Sequence, residues 1–392
     1  MTRTLRTLIG LLAALALLAS ACGSDDAPAE ATATTAAAAD DSSGDSDDGA
    51  VDCTGSDAVT LQLQWFAQAQ FAGYYAAEDE GIYDEFCLDV TIAEGGFDIV
   101  PQQQLASGVA DFAISWVPRV LASREGGIDV VNVAQVFQRS GTLQVSFADS
   151  GISSPADFAG KKIGSWGFGN EFELLAGSRV NDLEPGTDFE IVQQSFDMTG
   201  LLSGDIDAAQ AMIYNEYAQV LETINDETGE LYTADDLTVI DWNDEGTAML
   251  QDAIWADGAR LASDADYQDI TTRFIAASVK GWAWCRDNAD SCVDVVLNNG
   301  PTLGTSHQAW QLNEINNLIW PSPGGAGVMD QGLWDQTVDI AVAEDVLTAD
   351  PDATAFTSEW AEAAVDLLKN QNVDVIGNDW SPVTVELLAG GE

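Results

Sequence analysis

Basic residues are scarce in this chain of 392 residues, which has 13 lysines and arginines against 65 aspartates and glutamates. The formal net charge is −52, and a surface of that sign repels nucleic-acid phosphates and anionic lipid headgroups. The composition therefore excludes nucleic acid as a partner. It also argues against a freely exposed anion site, although one local pocket can still be positive.

Histidine and cysteine are also few, since His307 is the only histidine and the chain has five cysteines. Cys22 belongs to the N-terminal segment, which leaves four cysteines for the folded part, with three possible pairings. A zinc site is disfavoured because no two of these cysteines have two-residue spacing, and we expect neither a metal nor another cofactor. An oxidising compartment favours disulfides, and we expect the pairs Cys53–Cys87 and Cys285–Cys292.

Long apolar runs are missing as well, apart from residues 8–18 near the N-terminus. That run follows two arginines and is too short to span a bilayer, so residues 1–21 are expected to be a secretory signal peptide. Small residues directly before Cys22 resemble the bacterial lipobox, although Ala19 stands where that pattern usually has leucine. We expect lipidation at Cys22, and an ordinary cleavable signal with plain secretion is the alternative.

The segment after Cys22 has no large apolar residue, because residues 23–50 contain only Gly, Ser, Asp, Ala, Pro, Glu and Thr. Such a composition is typical of a disordered, self-repelling chain. Residues 22–56 are therefore expected to be an acidic tether. It would hold a folded domain at the extracytoplasmic face of the cell membrane, with the lipid anchor as its membrane contact.

Hydrophobic patterns in the rest of the chain alternate between strand and helix periods. Residues 59–65 have strand period, residues 71–80 have helical spacing, and a similar alternation starts afresh near residue 152. Alternation of this kind specifies a parallel sheet with helices on both faces. The chain is therefore predicted to be an α/β protein with two lobes. Lobe 1 would take residues 57–141 and 247–392, and lobe 2 would take residues 142–246.

Four stretches carry a resemblance to a known family: AGYYAAEDEGIYDEFCLDVTI, LASGVADFAI, SGISSPADFAGKKIG and GDIDAAQAMIYNEY. In that order, within about residues 59–345, they resemble the solute-binding proteins of ABC importers. More narrowly, they resemble the SsuA/THI5-like (NMT1) family. That family groups binders of thiamine pyrimidine precursors with sulfonate and nitrate binders and with a fungal pyrimidine synthase.

The resemblance implies a two-lobed periplasmic-binding-protein-like (type II) fold, in which each lobe is a mostly parallel sheet flanked by helices. Two crossings, near residues 140–148 and 240–247, would join the lobes. The lobes would close about these crossings on a small-molecule ligand. The implied partners are an ABC permease and its ATPase subunits, and the protein is expected to be a monomer.

The candidate site follows from where the predicted strands end. In open α/β sheets ligands bind beyond the carboxyl ends of the strands, and aromatic and amide side chains crowd these corners in both lobes. Flat rings stack on a heterocycle and amides bind its edge, whereas the rival interpretation makes these aromatics ordinary core. The expected ligand-binding residues are Trp65, Gln68, Gln70, Phe71, Tyr74, Trp116, Trp166, Asn170, Glu171, Tyr214, Asn215 and Glu216.

Glu216 has a specific expected role, because the resemblance suggests that it faces the cleft with Tyr214 and Asn215. An ionised carboxylate can accept paired N–H donors from an aminopyrimidine, whereas the alternative is a surface charge on a loop. We therefore expect a flat nitrogen heterocycle as ligand, with a thiamine pyrimidine precursor first. Riboflavin comes second, and a sulfonate, taurine or nitrate comes third. A sensor's ligand-binding subunit would use the same cleft.

An enzyme is the remaining alternative, since the fungal relative is a synthase that uses its own histidine and a cysteine-rich iron site. In this chain Phe71 occupies the position of that histidine, and no cysteine cluster exists. His307 lies far away in a predicted helix. We therefore expect a binding protein and not an enzyme.

Overall fold

The structure is a computed structural model that describes residues 51 and 53–392. The expected signal peptide, the lipidation at Cys22 and most of the expected tether lie outside the described residues. Among the residues that are described, no helix combines the length and the apolar character needed to cross a bilayer.

The strands of the described residues form two five-stranded sheets. Their bounds are β1 Asp57–Gln62, β2 Leu88–Ala93, β3 Phe112–Trp116, β4 Val130–Gln135, β5 Thr142–Phe147, β6 Lys162–Ser165, β7 Glu190–Gln193, β8 Ala208–Met212, β9 Leu237–Asp241 and β10 Asp252–Asp257. The first sheet has the strand order β2-β1-β3-β10-β4, and the second sheet has the order β7-β6-β8-β5-β9. The two orders are equivalent position by position, so the sheets share one topology.

One strand in each sheet is antiparallel to its neighbours. In the first sheet β10 runs antiparallel to β3 and β4, and in the second sheet β5 runs antiparallel to β8 and β9. The chain passes from one sheet to the other in residues 136–141 and 242–251, and each of these strands directly follows one of the two passages. The expected fold class, α/β with two mostly parallel sheets and two crossings, is confirmed.

The crossings lie a few residues from their expected places, because part of each expected crossing is strand. Residues 142–147 form β5, and β9 continues to Asp241. Strand β5 is buried along nearly its whole length. A strand buried on both faces lacks the apolar and polar alternation that marks a half-buried strand in a sequence. Strand β10 is buried in the same way and was not predicted for the same reason.

Helices cover the faces of both sheets. Their bounds in the described residues are α1 Ala72–Asp79, α2 Ile82–Glu85, α3 Pro101–Ala106, α4 Val117–Glu125, α5 Phe172–Val180, α6 Thr199–Leu202, α7 Glu216–Leu221, α8 Trp242–Glu245, α9 Gly258–Ser263, α10 Ala265–Asp287, α11 Ala289–Asn299, α12 Thr305–Ile319, α13 Gln331–Ala343 and α14 Glu359–Asn370. Helices α1 and α10 approach closely because both have glycine at their contact. A Cβ atom on Gly73 would overlap the ring of Trp282, and one on Gly281 would overlap the carbonyl oxygen of Gly73.

Two disulfides close loops of different length, and both are the pairs favoured from the sequence. Cys53 and Cys87, with Cα atoms 5.4 Å apart, join the segment before β1 to the turn before β2. Cys285 and Cys292, with Cα atoms 5.1 Å apart, join the end of α10 to α11. By loop-closure entropy the 34-residue separation is worth about 3–4 kcal/mol and the 7-residue separation about 2 kcal/mol. The first disulfide therefore contributes more to the stability of the fold.

Candidate ligand-binding site

A cavity of about 340 Å³ lies between the two sheets, beyond the carboxyl ends of their strands. The first sheet contributes the segments that follow β1, β2 and β3, and the second sheet contributes those that follow β6, β7 and β8. Small-molecule sites occupy about 300–1,000 Å³, so this cavity suits a compact ligand. The sequence-expected residues that line it are Trp65, Gln68, Gln70, Trp116, Trp166, Asn170, Tyr214, Asn215 and Glu216.

Three expected residues are not among those that line the cavity. Phe71 is fully buried in the core, and Tyr74 packs edge-on against Trp282 with ring centroids 5.8 Å apart. Both side chains belong to the buried core that also contains Trp282 and other residues of α10. Glu171 lies just before α5 and accepts a hydrogen bond from the N–H of Gly169 at 2.9 Å. These three residues support the cavity wall and do not form its surface.

Asp252, the first residue of β10, holds three side chains of the cavity wall. Its buried carboxyl accepts hydrogen bonds from Gln64 Nε2 at 2.6 Å, from Trp116 Nε1 at 2.8 Å and from Gln70 Nε2 at 3.0 Å. Burial raises the pKa of Asp252 to about 7, and the three donors act in the opposite direction. One buried carboxyl thus fixes the orientation of three lining residues.

Glutamines extend this network along the turn between β1 and α1. Gln68 Nε2 donates to Gln70 Oε1 at 2.7 Å, and Gln311 Nε2 from α12 donates to Gln68 Oε1 at 3.3 Å. The N–H of Ala69 donates to Gln308 Oε1 at 2.8 Å. The short 3-10 helix Ala69–Phe71 is therefore tied to α12, and the amides on the cavity side are held in place by other amides.

Aromatic rings meet across the cavity from both sheets. The ring of Trp65 lies 4.9 Å from that of Phe97 and 5.1 Å from that of Phe196. Phe196 in turn lies nearly parallel to Trp166, with centroids 5.9 Å apart and 12° between the planes. Trp65 and Phe97 belong to the first-sheet side, and Phe196 and Trp166 belong to the second-sheet side. The rings offer flat faces of the kind that stack on a heterocycle.

The turn after β6 is built from three consecutive residues in the left-handed region. Gly167, Phe168 and Gly169 have φ of 68°, 56° and 91°. Glycine adopts this conformation freely, whereas a residue with a Cβ atom loses roughly 1–2 kcal/mol. The turn presents Phe168 at the cavity mouth, where the residue is 78% exposed. A bulky apolar side chain is thus held in solvent by a strained backbone, next to the space that a ligand would occupy.

Glu216 begins α7 and ends a chain of hydrogen bonds that starts at the only histidine. His307 Nδ1 lies 2.7 Å from Glu222 Oε1, and His307 Nε2 lies 2.9 Å from Asn215 Oδ1. Asn215 Nδ2 donates to Glu216 Oε1 at 2.8 Å, and the N–H of Met212 donates to Glu216 Oε2 at 2.9 Å. Burial raises the pKa of Glu216, and its donors together with His307 lower it. Glu216 is buried and is one of the residues that line the cavity.

Sequence reasoning missed half of the lining residues. The aromatic ones could have been found, because each lies in a turn just after a strand, as the expected tryptophans do. Arg119 gave no such signal, because it lies inside a helical pattern. Asp252, which holds lining residues in place, gave none either, because it lies in a strand that was not predicted. No group of three or more His, Cys, Asp or Glu side chains within residues 51 and 53–392 is arranged to hold a metal ion. The lining residues that were not expected are Gln64, Gly96, Phe97, Ile99, Val100, Arg119, Phe168, Phe196 and Met212.

Known proteins resemble this chain in sequence and in fold. It is 25% identical over 247 residues to the formylaminopyrimidine-binding protein of Halalkalibacterium halodurans, which covers 62% of this chain and 71% of that protein. It is 27% identical over 315 residues to the riboflavin-binding protein RibY of Chloroflexus aurantiacus, which covers 77% of this chain and 85% of that protein. The solved structure of the periplasmic aliphatic sulphonate binding protein SsuA from Escherichia coli has the same fold. Its TM-score is 0.55 at 17% identity, over 84% of this chain and 94% of that chain.

The match to a protein family covers more than half of the chain. Residues 68–291 match the family described as NMT1/THI5 like. The matched range begins at the glutamine-rich turn after β1 and ends in the first turn of α11, so it includes both crossings and most of the residues that line the cavity. The chain belongs to the NMT1/THI5-like family.

Proposed function

We propose that this protein is the extracytoplasmic, lipid-anchored solute-binding protein of an ABC importer and that its ligand is a flat nitrogen heterocycle. A thiamine pyrimidine precursor is the first candidate. The observation that supports this most strongly is the cavity itself, which is lined by aromatic rings from both sheets, by Glu216 and by fixed glutamine amides. A flat heteroaromatic compound can stack on the rings and donate N–H groups to the carboxyl in one pose.

The cavity volume helps to order the candidates. At about 340 Å³ it lies near the lower end of the usual range for small-molecule sites. A substituted single ring fits such a space more readily than a three-ring flavin with its ribityl chain. The likeness to a formylaminopyrimidine-binding protein supports the same order.

Riboflavin is the second candidate, because the riboflavin-binding relative matches a larger share of this chain. The four rings of Trp65, Phe97, Phe196 and Trp166 also offer more stacking surface than one small ring uses. A wider ligand would require the rings of Trp65 and Phe196 to separate. Opening of the cleft about residues 136–141 and 242–251 would provide that separation.

Binding without turnover is the activity that we propose. The two relatives named above are binding proteins, and Phe71, at the position of the synthase's histidine, is fully buried away from the cavity. A buried phenylalanine can neither donate its own ring atoms to a product nor transfer a proton. Neither iron nor pyridoxal phosphate chemistry is therefore proposed for this chain.

The location of the protein is proposed from the sequence and the disulfides. Two disulfides in the described residues fit an oxidising compartment, and Cys22 supplies the lipid attachment. We expect wild-type protein to fractionate with membranes and Cys22→Ala to be released. Membrane fractionation with mass spectrometry of the N-terminal peptide tests this. Wild type found mainly in the medium, without lipid, would contradict the anchor and leave the ligand assignment in place.

The ligand is tested first without assumptions. Protein purified under mild conditions is denatured, and the released small molecules are identified by mass spectrometry. Calorimetric titration then compares an aminopyrimidine, riboflavin and taurine on protein stripped of ligand. We expect the aminopyrimidine to bind with the highest affinity. Tightest binding of taurine would contradict the heterocycle, and tightest binding of riboflavin would favour the second candidate.

A further inference from the structure

Arg119 is a cavity residue with no polar partner of its own among the described residues. It is the third residue of α4, it is partly buried, and it lines the cavity. No hydrogen bond, ion pair or aromatic contact of its guanidinium is found within the part of the chain that the structure describes. Every other arginine there has bonded partners: Arg124, Arg139, Arg179, Arg260, Arg273 and Arg286.

The lack of a partner is notable in a chain with 65 acidic residues and 13 basic ones. Burial lowers the pKa of the Arg119 guanidinium, and no carboxylate close to it acts in the opposite direction. Arginine keeps its charge in proteins and presents five N–H donors in a fixed fork. The wall of the cavity therefore carries a positive charge and a set of donors that the protein itself does not neutralise.

The position of Arg119 gives its fork access to a ligand. The Cγ atom of Arg119 lies 3.6 Å from where a Cβ on Gly169 would be, so its stem packs against the turn that carries Phe168. The aliphatic stem is thus held between the two sheets' sides of the cavity. Arg119 and Glu216 are the charged side chains that line this cavity, and they favour opposite groups on one ligand.

We propose that Arg119 binds an oxyanion carried by the ligand, such as a phosphate ester or a carboxylate attached to the heterocycle. The part of this proposal that concerns the heterocycle rests on the proposed function. A bidentate pair between a guanidinium and an oxyanion is stronger and more directional than a neutral hydrogen bond. The ligand class is then a flat ring with N–H donors at one end and an anionic group at the other.

Matched ligand pairs test the proposal by calorimetric titration. One pair is 4-amino-5-hydroxymethyl-2-methylpyrimidine and its monophosphate, and the other is riboflavin and its monophosphate. Ethanesulfonate serves as an anion without a ring. The variants are Arg119→Gln, Arg119→Lys and the control Lys162→Gln, which removes the same charge from an exposed position outside the cavity. Thermal melting of each variant shows that it is folded.

We expect the phosphorylated member of the preferred pair to bind wild type at least tenfold more tightly than its neutral parent. Arg119→Gln should lower the affinity for the anionic ligand at least tenfold and change the affinity for the neutral ligand less than twofold. Arg119→Lys should lie in between, because lysine keeps the charge and loses the fork. Lys162→Gln should leave all affinities within twofold.

Three results would overturn the proposal. The first is that the neutral parents bind at least as tightly as their phosphates. The second is that Arg119→Gln leaves the affinity for every anionic ligand within twofold of wild type. The third is that neither the phosphates nor the sulfonate bind. If ethanesulfonate binds, loses tenfold in Arg119→Gln, and no heterocycle binds, the role of Arg119 stands and the proposed heterocycle is wrong.

Discussion

The two sides of the cavity differ in how their side chains are held. On the first-sheet side, Gln64, Gln70 and Trp116 all donate to one buried carboxyl, and glutamines from α12 complete the network. On the second-sheet side, the Nε1 of Trp166 is buried without a hydrogen-bond partner in the described structure, and Phe168 lies in solvent on a left-handed turn. The polar wall around Asp252 is preorganised, whereas Trp166 and Phe168 are groups of the second-sheet side that stay available for adjustment. A preorganised wall favours affinity, because its side chains lose little conformational freedom when the ligand binds.

Removal of Asp252 should break this difference most severely. Asp252→Ala leaves the side-chain N–H groups of Gln64, Gln70 and Trp116 without their acceptor. Since an unsatisfied buried donor costs about 1–3 kcal/mol, we expect a loss of roughly 2–4 kcal/mol in the free energy of unfolding, together with loss of ligand binding. Urea unfolding and calorimetry measure both quantities.

Asp252→Asn keeps the shape and is the matched control for that variant. Asp252→Asn should lose no more than half as much free energy of unfolding as Asp252→Ala, because its carbonyl oxygen still accepts a hydrogen bond. A loss of less than 0.5 kcal/mol in Asp252→Ala, on the order of a neutral surface change, would show that the network does not hold the first-sheet side.

The pH dependence of stability should sharpen the difference next. Burial raises the pKa of Asp252 to about 7, above the ordinary value of 3.8 for an aspartate. Between these values the folded state keeps a proton that the unfolded chain releases. The free energy of unfolding contributed by this group is therefore fully present below about pH 4 and is lost as pH rises through 7. The difference between wild type and Asp252→Asn in urea unfolding, measured from pH 4 to pH 8, reports it.

Glu173 should show the same sign at the return crossing. It accepts a hydrogen bond from the N–H of Met249 at 2.6 Å, and burial raises its pKa to about 7. Wild type loses free energy of unfolding as the pH rises, and Glu173→Gln should lose less of it over the same pH range. A wild-type minus variant difference that rises with pH in either case would contradict the assigned direction.

Glu216→Gln tests the polar end of the second-sheet side. It keeps the shape and loses the charge, so we expect a loss of roughly 1.5–3 kcal/mol in the binding of a ligand with adjacent N–H donors. The binding free energy of riboflavin and of taurine should fall by less. The matched control is Glu314→Gln, because Glu314 also accepts from the preceding asparagine, Asn313 Nδ2 at 2.9 Å, and does not line the cavity. Equal effects of the two variants in calorimetry would make Glu216 a structural residue only.

Trp65→Ala should have a smaller and less selective effect. Removal of the ring deletes a stacking face, which costs on the order of 1 kcal/mol beyond the lost burial. Every flat ligand should suffer to a similar extent in calorimetric titration, whereas ethanesulfonate should not. An unchanged affinity for all flat ligands would mean that Trp65 closes the cavity without contact to the ligand.

Phe168→Gly should give the smallest change in stability and the clearest contrast with Trp65. Glycine relieves the left-handed backbone and removes an exposed ring, so the free energy of unfolding should rise by up to about 1 kcal/mol. Ligand affinity should fall if the ring covers the bound ligand. Phe97→Ala, at another exposed ring of the mouth without positive φ, is the control that should gain no stability in urea unfolding.

The sequence predicts the strand ends well because that information is local. Trp65, Trp116 and Trp166 were identified from the strands that precede them, and all three line the cavity. Asp252 could not be found in this way, because its partner Gln64 is 188 residues away and its strand lacks an alternating pattern. Phe71 and Tyr74 were also expected in the site, and the structure places both in the buried core. Which face of a short helix meets the cavity depends on how α10 packs against it, and Gly73 and Gly281 set that packing.

The position of β10 has a consequence for the order in which the sheets can form during synthesis. Strand β4 pairs within its sheet only with β10, so it lacks a sheet neighbour until residue 257 has been made. The second sheet needs only residues 142–241. All strands of the second sheet are therefore synthesised while the first sheet still lacks β10, the strand that lies between β3 and β4. During that interval the Val130–Gln135 segment presents an unpaired apolar edge, the kind of edge that pairs with other chains.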